Sequence, residues 1–232
     1  MSTAVLAGST GLVGSQLLSQ LLAHPSFTSV FAYARRDLPN PSSSPKLHPL
    51  TSTDSSTWPT LFPSAATAPS PRFFFSALGT TRAAAGSVEA QRKIDLDLNL
   101  ALATAAKAAG VETYVLISSV GASSTSRAPY TQMKGELEDK VKELGFKNTV
   151  ILRPGVLLGD RQESRPAEAV IRGVAGVLRR VSPALTDGWA QDVGIIARAA
   201  IRAAGECGEG KREGVWELGQ GEISRLGKEE AK

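Results

Sequence analysis

Close to its start the chain reads Ala4-Val-Leu-Ala-Gly8-Ser-Thr-Gly11-Leu-Val-Gly14, and this stretch constrains the fold more than any other. Ala4 to Ala7 make a short buried strand, the glycines crowd a turn, and Ser15 to Leu22 continue as a helix with leucines on one side. A glycine turn between strand and helix has three jobs to fill. One glycine adopts a backbone angle closed to other residues, one lets a pyrophosphate approach the main chain, and one lets the helix lie close on the strand. The helix N-terminus then offers free N–H groups and the positive end of its dipole. A purely structural turn could carry the same glycines, but placement at the first strand–helix junction favours dinucleotide binding.

The rest of the chain alternates strand and helix, the pattern of a doubly wound parallel sheet of Rossmann type with helices on both faces. Strands are expected at Ala4–Ala7, Ser29–Ala34, Leu47–Leu50, Phe73–Ala77, Thr113–Ser118 and Thr149–Leu152. A long helix is expected from Ser87 to Ala109, closed by Gly110. Two later helices, Pro166–Val181 and Asp192–Gly205, border a small C-terminal region on the substrate side. Residues 37–72 hold eight of the thirteen prolines, so this insertion is expected to be loops, the short strand and a turn of helix at Trp58–Phe62. The Glu- and Lys-rich end after Ile223 reads as frayed. With 232 residues and no internal repeat, a single domain is expected.

A second motif, Tyr130-Thr-Gln-Met-Lys134, lies on a helix opened by Pro129 and continued by the apolar Leu137, Val141 and Leu144. Residues four apart share a helix face, so the lysine holds a positive charge beside the phenol and favours the phenolate. A phenol so placed can exchange a proton with a substrate oxygen. Upstream, Tyr114-Val-Leu-Ile-Ser-Ser119 is a buried strand ending in hydroxyls, at the sheet edge where open α/β sheets bind ligands.

Lys and Arg exceed Asp and Glu by 26 to 22, a net charge of +4, which suits an anionic cofactor or a negatively charged surface. No basic cluster interleaves with aromatics, so nucleic acid is not an expected partner. The lone Cys207, placed in a Gly/Glu-rich loop, fits a reducing compartment, and no metal site is expected. His24 and His48 both lie beside prolines in turn-like stretches and look like neither ligands nor bases. No apolar stretch is long enough to span a bilayer, and a strand beginning at residue 4 leaves no room for a signal peptide.

The Gly-x-x-Gly-x-x-Gly turn joined to Tyr-x-x-x-Lys resembles the extended and atypical short-chain dehydrogenase/reductases. Three further blocks narrow this: Leu78-Gly-Thr-Thr-Arg82, Gln91-Arg-Lys-Ile-Asp95, and Gly159-Asp-Arg-Gln-Glu-Ser-Arg165. They are similar to the fungal FMP-type proteins of the mitochondrial outer membrane, relatives of the animal Tat-interacting oxidoreductase. The resemblance runs from Val5 to about Ala204. It implies an NAD(P)-binding protein, peripheral on the cytosolic face of that membrane, with no settled substrate. By the same resemblance Gly8, Ser9, Thr10, Gly11, Leu12, Val13 and Gly14 form the pyrophosphate turn, and Leu78, Gly79, Thr80 and Thr81 lie along the cofactor. Ser119 would orient the substrate oxygen, Tyr130 would act as acid/base, and Lys134 would hold the ribose. Pro154, Gly155 and Val156 fall where relatives contact the nicotinamide. The chain departs from the extended enzymes at Asp95, where they often carry Asn.

Arg35 and Arg36 close the second strand, where an acidic residue would read the ribose of NAD and an arginine accepts the extra phosphate of NADP. NADP is therefore the expected cofactor, with NAD as the alternative. The Pro166–Val181 helix has an apolar side and Arg172, Arg179 and Arg180 elsewhere, readable as core packing or as a membrane or dimer surface. The expected activity is hydride transfer between nicotinamide and a carbonyl or alcohol carbon of a small-molecule substrate. The alternative is a regulatory or scaffold protein that binds NADPH with little or no turnover.

Overall fold

The computed structural model describes residues 2–38, 43–64, 71–158 and 190–229. Short apolar runs without polar alternation make strands that must be covered on both faces, and they assemble here into one parallel sheet. Its strands are β1 (Ser2–Ala7), β2 (Phe27–Ala34), β3 (Leu47–Thr51), β4 (Phe73–Ser76), β5 (Thr113–Ile117) and β6 (Asn148–Leu152). A small parallel pair follows, β7 (Val156–Leu158) with β8 (Ala190–Asp192), and β9 (Gly214–Leu218) completes the large sheet. The order is β3-β2-β1-β4-β5-β6-β9. The chain winds outward from β1 to β3, then crosses back to β4 on the other side of β1. The carboxyl ends of β1 and β4 therefore flank a topological switch point, where α/β sheets place their ligand crevice.

Helices cover both faces. On one side lie α1 (Leu12–Ala23), α6 (Val193–Gly208) and α7 (Gln220–Lys228), packed on Leu6, Phe75, Val115 and Val150. On the other lie α4 (Asn99–Ala108) and α5 (Pro129–Glu143), with Leu102, Leu137 and Val141 against Val5, Phe74, Tyr114 and Ile151. The Pro/Ser-rich insertion contributes β3 and a 3₁₀ turn, Ser55–Leu61, whose Trp58 stacks on Tyr33 at 5.2 Å between ring centres.

Several expectations are corrected. The helix expected over 87–109 is three segments: α3 (Val88–Arg92), a π-helical stretch Lys93–Leu98, and α4, preceded by the short α2 (Arg82–Ala85). The chain after Ile223 is not frayed through residue 229, because α7 buries Ile223, Leu226 and Gly227. Gly227 lies so close to α6 that an added Cβ would meet the Ile195 carbonyl oxygen at 2.2 Å. Cys207 is not in a loop but is buried in the last turn of α6, where burial first and Glu206 second push its thiol up to about 11. Strand β9 has no counterpart in the expected strands. The Gly159–Arg165 block and the helix Pro166–Val181 lie outside the described residues.

Candidate functional site

The glycine turn divides its labour as glycine chemistry requires. Gly8 has φ +84°, and an added Cβ would lie 2.5 Å from the Ala77 carbonyl oxygen. Gly14 is where the helix meets the turn, and a Cβ there would lie 1.9 Å from the Gly8 carbonyl oxygen. Gly11 differs from both: it is exposed, has an ordinary φ of −78°, and meets only the Gly8 oxygen at 3.2 Å. As the N-cap of α1 it supplies no side-chain acceptor, so no side chain caps the first-turn N–H groups. Val13 is buried, leaving its amide as the group it can offer, and Thr10 is exposed. The buried Ser9 hydroxyl donates to the Tyr33 carbonyl at 2.7 Å, tying the turn to the end of β2. Two residues beyond, Arg35 and Arg36 are exposed at that same sheet edge.

Across the switch point, Leu78, Gly79, Thr80 and Thr81 leave β4 against the glycine turn. This segment is held from behind by three buried polar residues spaced four apart. The Gln91 amide donates to the Thr80 carbonyl at 3.1 Å, and the Asp95 carboxylate accepts the Thr80 N–H at 2.7 Å. Asn99 donates to the Leu78 carbonyl at 3.3 Å and accepts from the Ser76 hydroxyl at 2.5 Å. Four residues of α-helix overshoot a full turn by about 40°, so such a row would drift around the helix. The wider π-helical stretch between them takes that drift back and keeps all three aimed at one strand end. The Thr81 hydroxyl caps α2 by accepting the Ala84 N–H.

Tyr130 and Lys134 lie one turn apart on α5, with the ammonium 5.9 Å from the phenol ring centre. Tyr130 is 42 % exposed, whereas Lys134 is buried and its Nζ stands 3.3 Å from Asp95 Oδ1. A continuous set of contacts thus runs from the glycine turn through the Leu78–Thr81 segment and Asp95 to Lys134 and Tyr130. The remaining candidates leave the ends of the next two strands. Ser119 follows β5, its hydroxyl turned to the Val120 carbonyl at 3.3 Å, and the Val120 N–H donates to the Pro154 carbonyl at 2.9 Å. Pro154, Gly155 and Val156 lead from β6 into β7, with Val156 exposed.

Sequence reasoning missed what fixes these groups. Ser118, buried beside Ser119, donates to Glu138 at 2.5 Å, and Glu138 accepts a forked pair of bonds from Arg153. Arg153 also pairs with Glu217 on β9 at 2.8 Å, and Glu217 with Lys142 at 2.6 Å. The bond to Glu138 holds the Arg153 guanidinium above its ordinary value, and the Lys142 bond holds the Glu217 carboxyl below its own. The readable signal was polar residues where a helix should bury apolar ones: Gln91, Asp95 and Asn99 among Leu96, Leu98 and Leu102, and Glu138 next to Leu137.

Fmp52 of Emericella nidulans is 50% identical over 236 residues, covering 99% of this chain and 100% of the relative. The chain belongs to the Fmp52 family. Aspergillus terreus fmp52-1 is 48% identical with the same coverage, and the Neurospora crassa protein is 46% identical over 100% of this chain and 97% of its own length. All three Fmp52 relatives are named mitochondrial proteins. A family model described as HIM1 matches residues 72–181. Among solved structures, MoeE5 in complex with UDP-glucose and NAD aligns with a TM-score of 0.67 at 18% identity, over 94% of this chain and 75% of that one. UDP-glucose 4-epimerase from Brucella ovis in complex with NAD aligns with a TM-score of 0.67 at 14% identity, over 97% and 81%. At such identities the likeness establishes the Rossmann-like fold shared with these two structures.

Proposed function

We propose that this Fmp52-family chain is a dinucleotide-binding protein of the short-chain dehydrogenase/reductase type that prefers NADP and transfers hydride to or from a carbonyl or alcohol carbon. One observation carries the reading. At the switch point, the glycine that a ligand would approach is open, while the two glycines facing protein backbone are filled. The residues fit the group. The amides of Gly11 to Gly14 would meet the pyrophosphate, Arg35 and Arg36 the extra phosphate, and Lys134 the nicotinamide-side ribose. Bound there, the nicotinamide supplies the hydride chemistry, and the chain supplies orientation and electrostatics. Ser119 would hold the substrate oxygen and the half-exposed Tyr130 hydroxyl would exchange the proton. MoeE5 and the Brucella ovis epimerase are both solved in complex with NAD, which supports a nicotinamide dinucleotide here.

Placement is proposed on the relatives' names together with the resemblance: peripheral association with the cytosolic face of the mitochondrial outer membrane. No helix among the described residues is long and apolar enough to cross a membrane.

The test is calorimetric titration followed by kinetics on a panel of carbonyl substrates. Arg35→Ala/Arg36→Ala should weaken NADPH far more than NADH, and equal losses would refute the phosphate assignment. Tyr130→Phe should keep NADPH binding while turnover falls about 10²- to 10⁴-fold, the usual cost of a lost acid–base group. Near wild-type turnover in that variant would overturn the mechanism. Tight binding with no turnover across the panel would favour the regulatory reading.

A further inference from the structure

The Asp95 carboxylate is 1 % exposed, and its two oxygens have different surroundings. Oδ2 accepts the Thr80 N–H, whereas Oδ1 has no hydrogen-bond partner among the described residues and stands 3.3 Å from the buried Lys134 ammonium. A buried acceptor left without a bond calls for a reason. Gly79 lies directly over the pair: an added Cβ would come within 3.1 Å of Asp95 Oδ1 and 3.5 Å of Lys134 Nζ. Asp95 thus stands on the π-helical stretch between the β4 segment, which it bonds through the Thr80 N–H, and α5, with which it pairs through Lys134.

Resting on the dinucleotide-binding reading, we propose that Asp95 is a positioning residue that fixes Lys134 and the Leu78–Thr81 segment relative to each other. One carboxylate sets both walls of the crevice, so the spacing between them is built into the protein before a ligand arrives. An ammonium has three donors, and the Asp95 side of Lys134 orients the others toward the open side left by Gly79. Asp95 acts through Lys134 and belongs to the half of the crevice on the Tyr130 side. It has no part in holding the adenosine half, which lies toward Arg35 and Arg36.

The proposal makes a selective demand that a merely structural role would not. Wild type, Asp95→Asn, Lys134→Ala and the double variant are titrated with the intact dinucleotide and with its adenosine diphosphate half. Asp95→Asn is isosteric and keeps an acceptor for Thr80, so it removes the negative charge beside Lys134 while leaving the segment tied. It should weaken the intact dinucleotide about tenfold, the scale of a lost charge-assisted contact, and leave the adenosine half nearly unchanged. In the Lys134→Ala background the same substitution should cost little further, the non-additivity of residues that act through one another. Equal losses for the two ligands, or full additivity with Lys134→Ala, would overturn the role of Asp95 and leave the dinucleotide reading standing. Failure of the wild type to bind either ligand would remove that reading and this inference with it. Should Asp95→Asn not fold, Asp95→Glu decides the question by moving the carboxylate one methylene relative to Lys134, with the same selective loss expected and an unselective one opposing it.

Discussion

At the scale of single residues, the glycine turn shows how one motif holds residues under different constraints. Gly8 and Gly14 are excluded from substitution by the protein's own backbone, Gly8 by its left-handed φ and both by contacts well under van der Waals distance. Gly11 has an ordinary backbone angle and open surroundings except for one oxygen. Gly14→Ala should therefore destabilise the fold by at least about 3 kcal/mol, at or beyond the usual range for overpacking, read by chemical denaturation. Gly11→Val should stay folded and lose dinucleotide affinity, since its side chain would occupy the approach to the main chain. A folded Gly11→Val with full affinity would make the turn structural only. The sequence already contained this division, because spacing names the glycines. Only the backbone contacts say which glycine does which job.

At the scale of elements, two polar constructions hold the ends of strands where the candidate residues emerge. One is the row Gln91, Asp95 and Asn99 behind β4, kept in line by a π-helical stretch. The other is the chain from Ser118 through Glu138, Arg153 and Glu217 to Lys142, which joins β5, α5, β6 and β9. Glu217 is held below its ordinary value chiefly by its bond to Lys142, so its stabilising contribution is present above the unfolded carboxylate pKa of about 4.3. That contribution is lost as pH falls through the lower, folded value. Glu217→Gln should thus be less stable than wild type at neutral pH, with the gap closing as pH falls into and below the carboxylate range. Thermal melts across that range would show it. Glu217 is more than a third exposed, so the gap is a small one. A gap that persists undiminished at low pH would mean packing, and not charge, holds this corner. None of these partners was legible beforehand, because Glu138, Arg153 and Glu217 come from separate elements and meet only after the sheet forms.

At the scale of the whole molecule, the face covered by α1, α6 and α7 depends on the C-terminal segment that reads as frayed in sequence. The composition after Ile223 is charged, and two apolar residues in a short window give little periodicity to detect. In the fold, Ile223 and Leu226 reach the core beside α6, and Gly227 lets α7 lie close against the Ile195 carbonyl. Leu226→Ala should cost about 2–5 kcal/mol as a buried leucine truncation, whereas substitution of exposed Arg225 should cost almost nothing. Denaturant unfolding of the two variants is the measurement, and equal stabilities would mean that α7 is dispensable. The sequence by itself determined the doubly wound class, the glycine turn between strand and helix and the pairing of Tyr130 with Lys134 on one helix face, because those follow from local apolar runs, glycine spacing and a helical repeat. The tertiary structure alone decided which buried carboxylate meets which cation, how the long helix breaks around Asp95, and that the C-terminus joins the core. Those outcomes depend on desolvating groups far apart in the chain, and no local pattern records the partner that a buried charge will find.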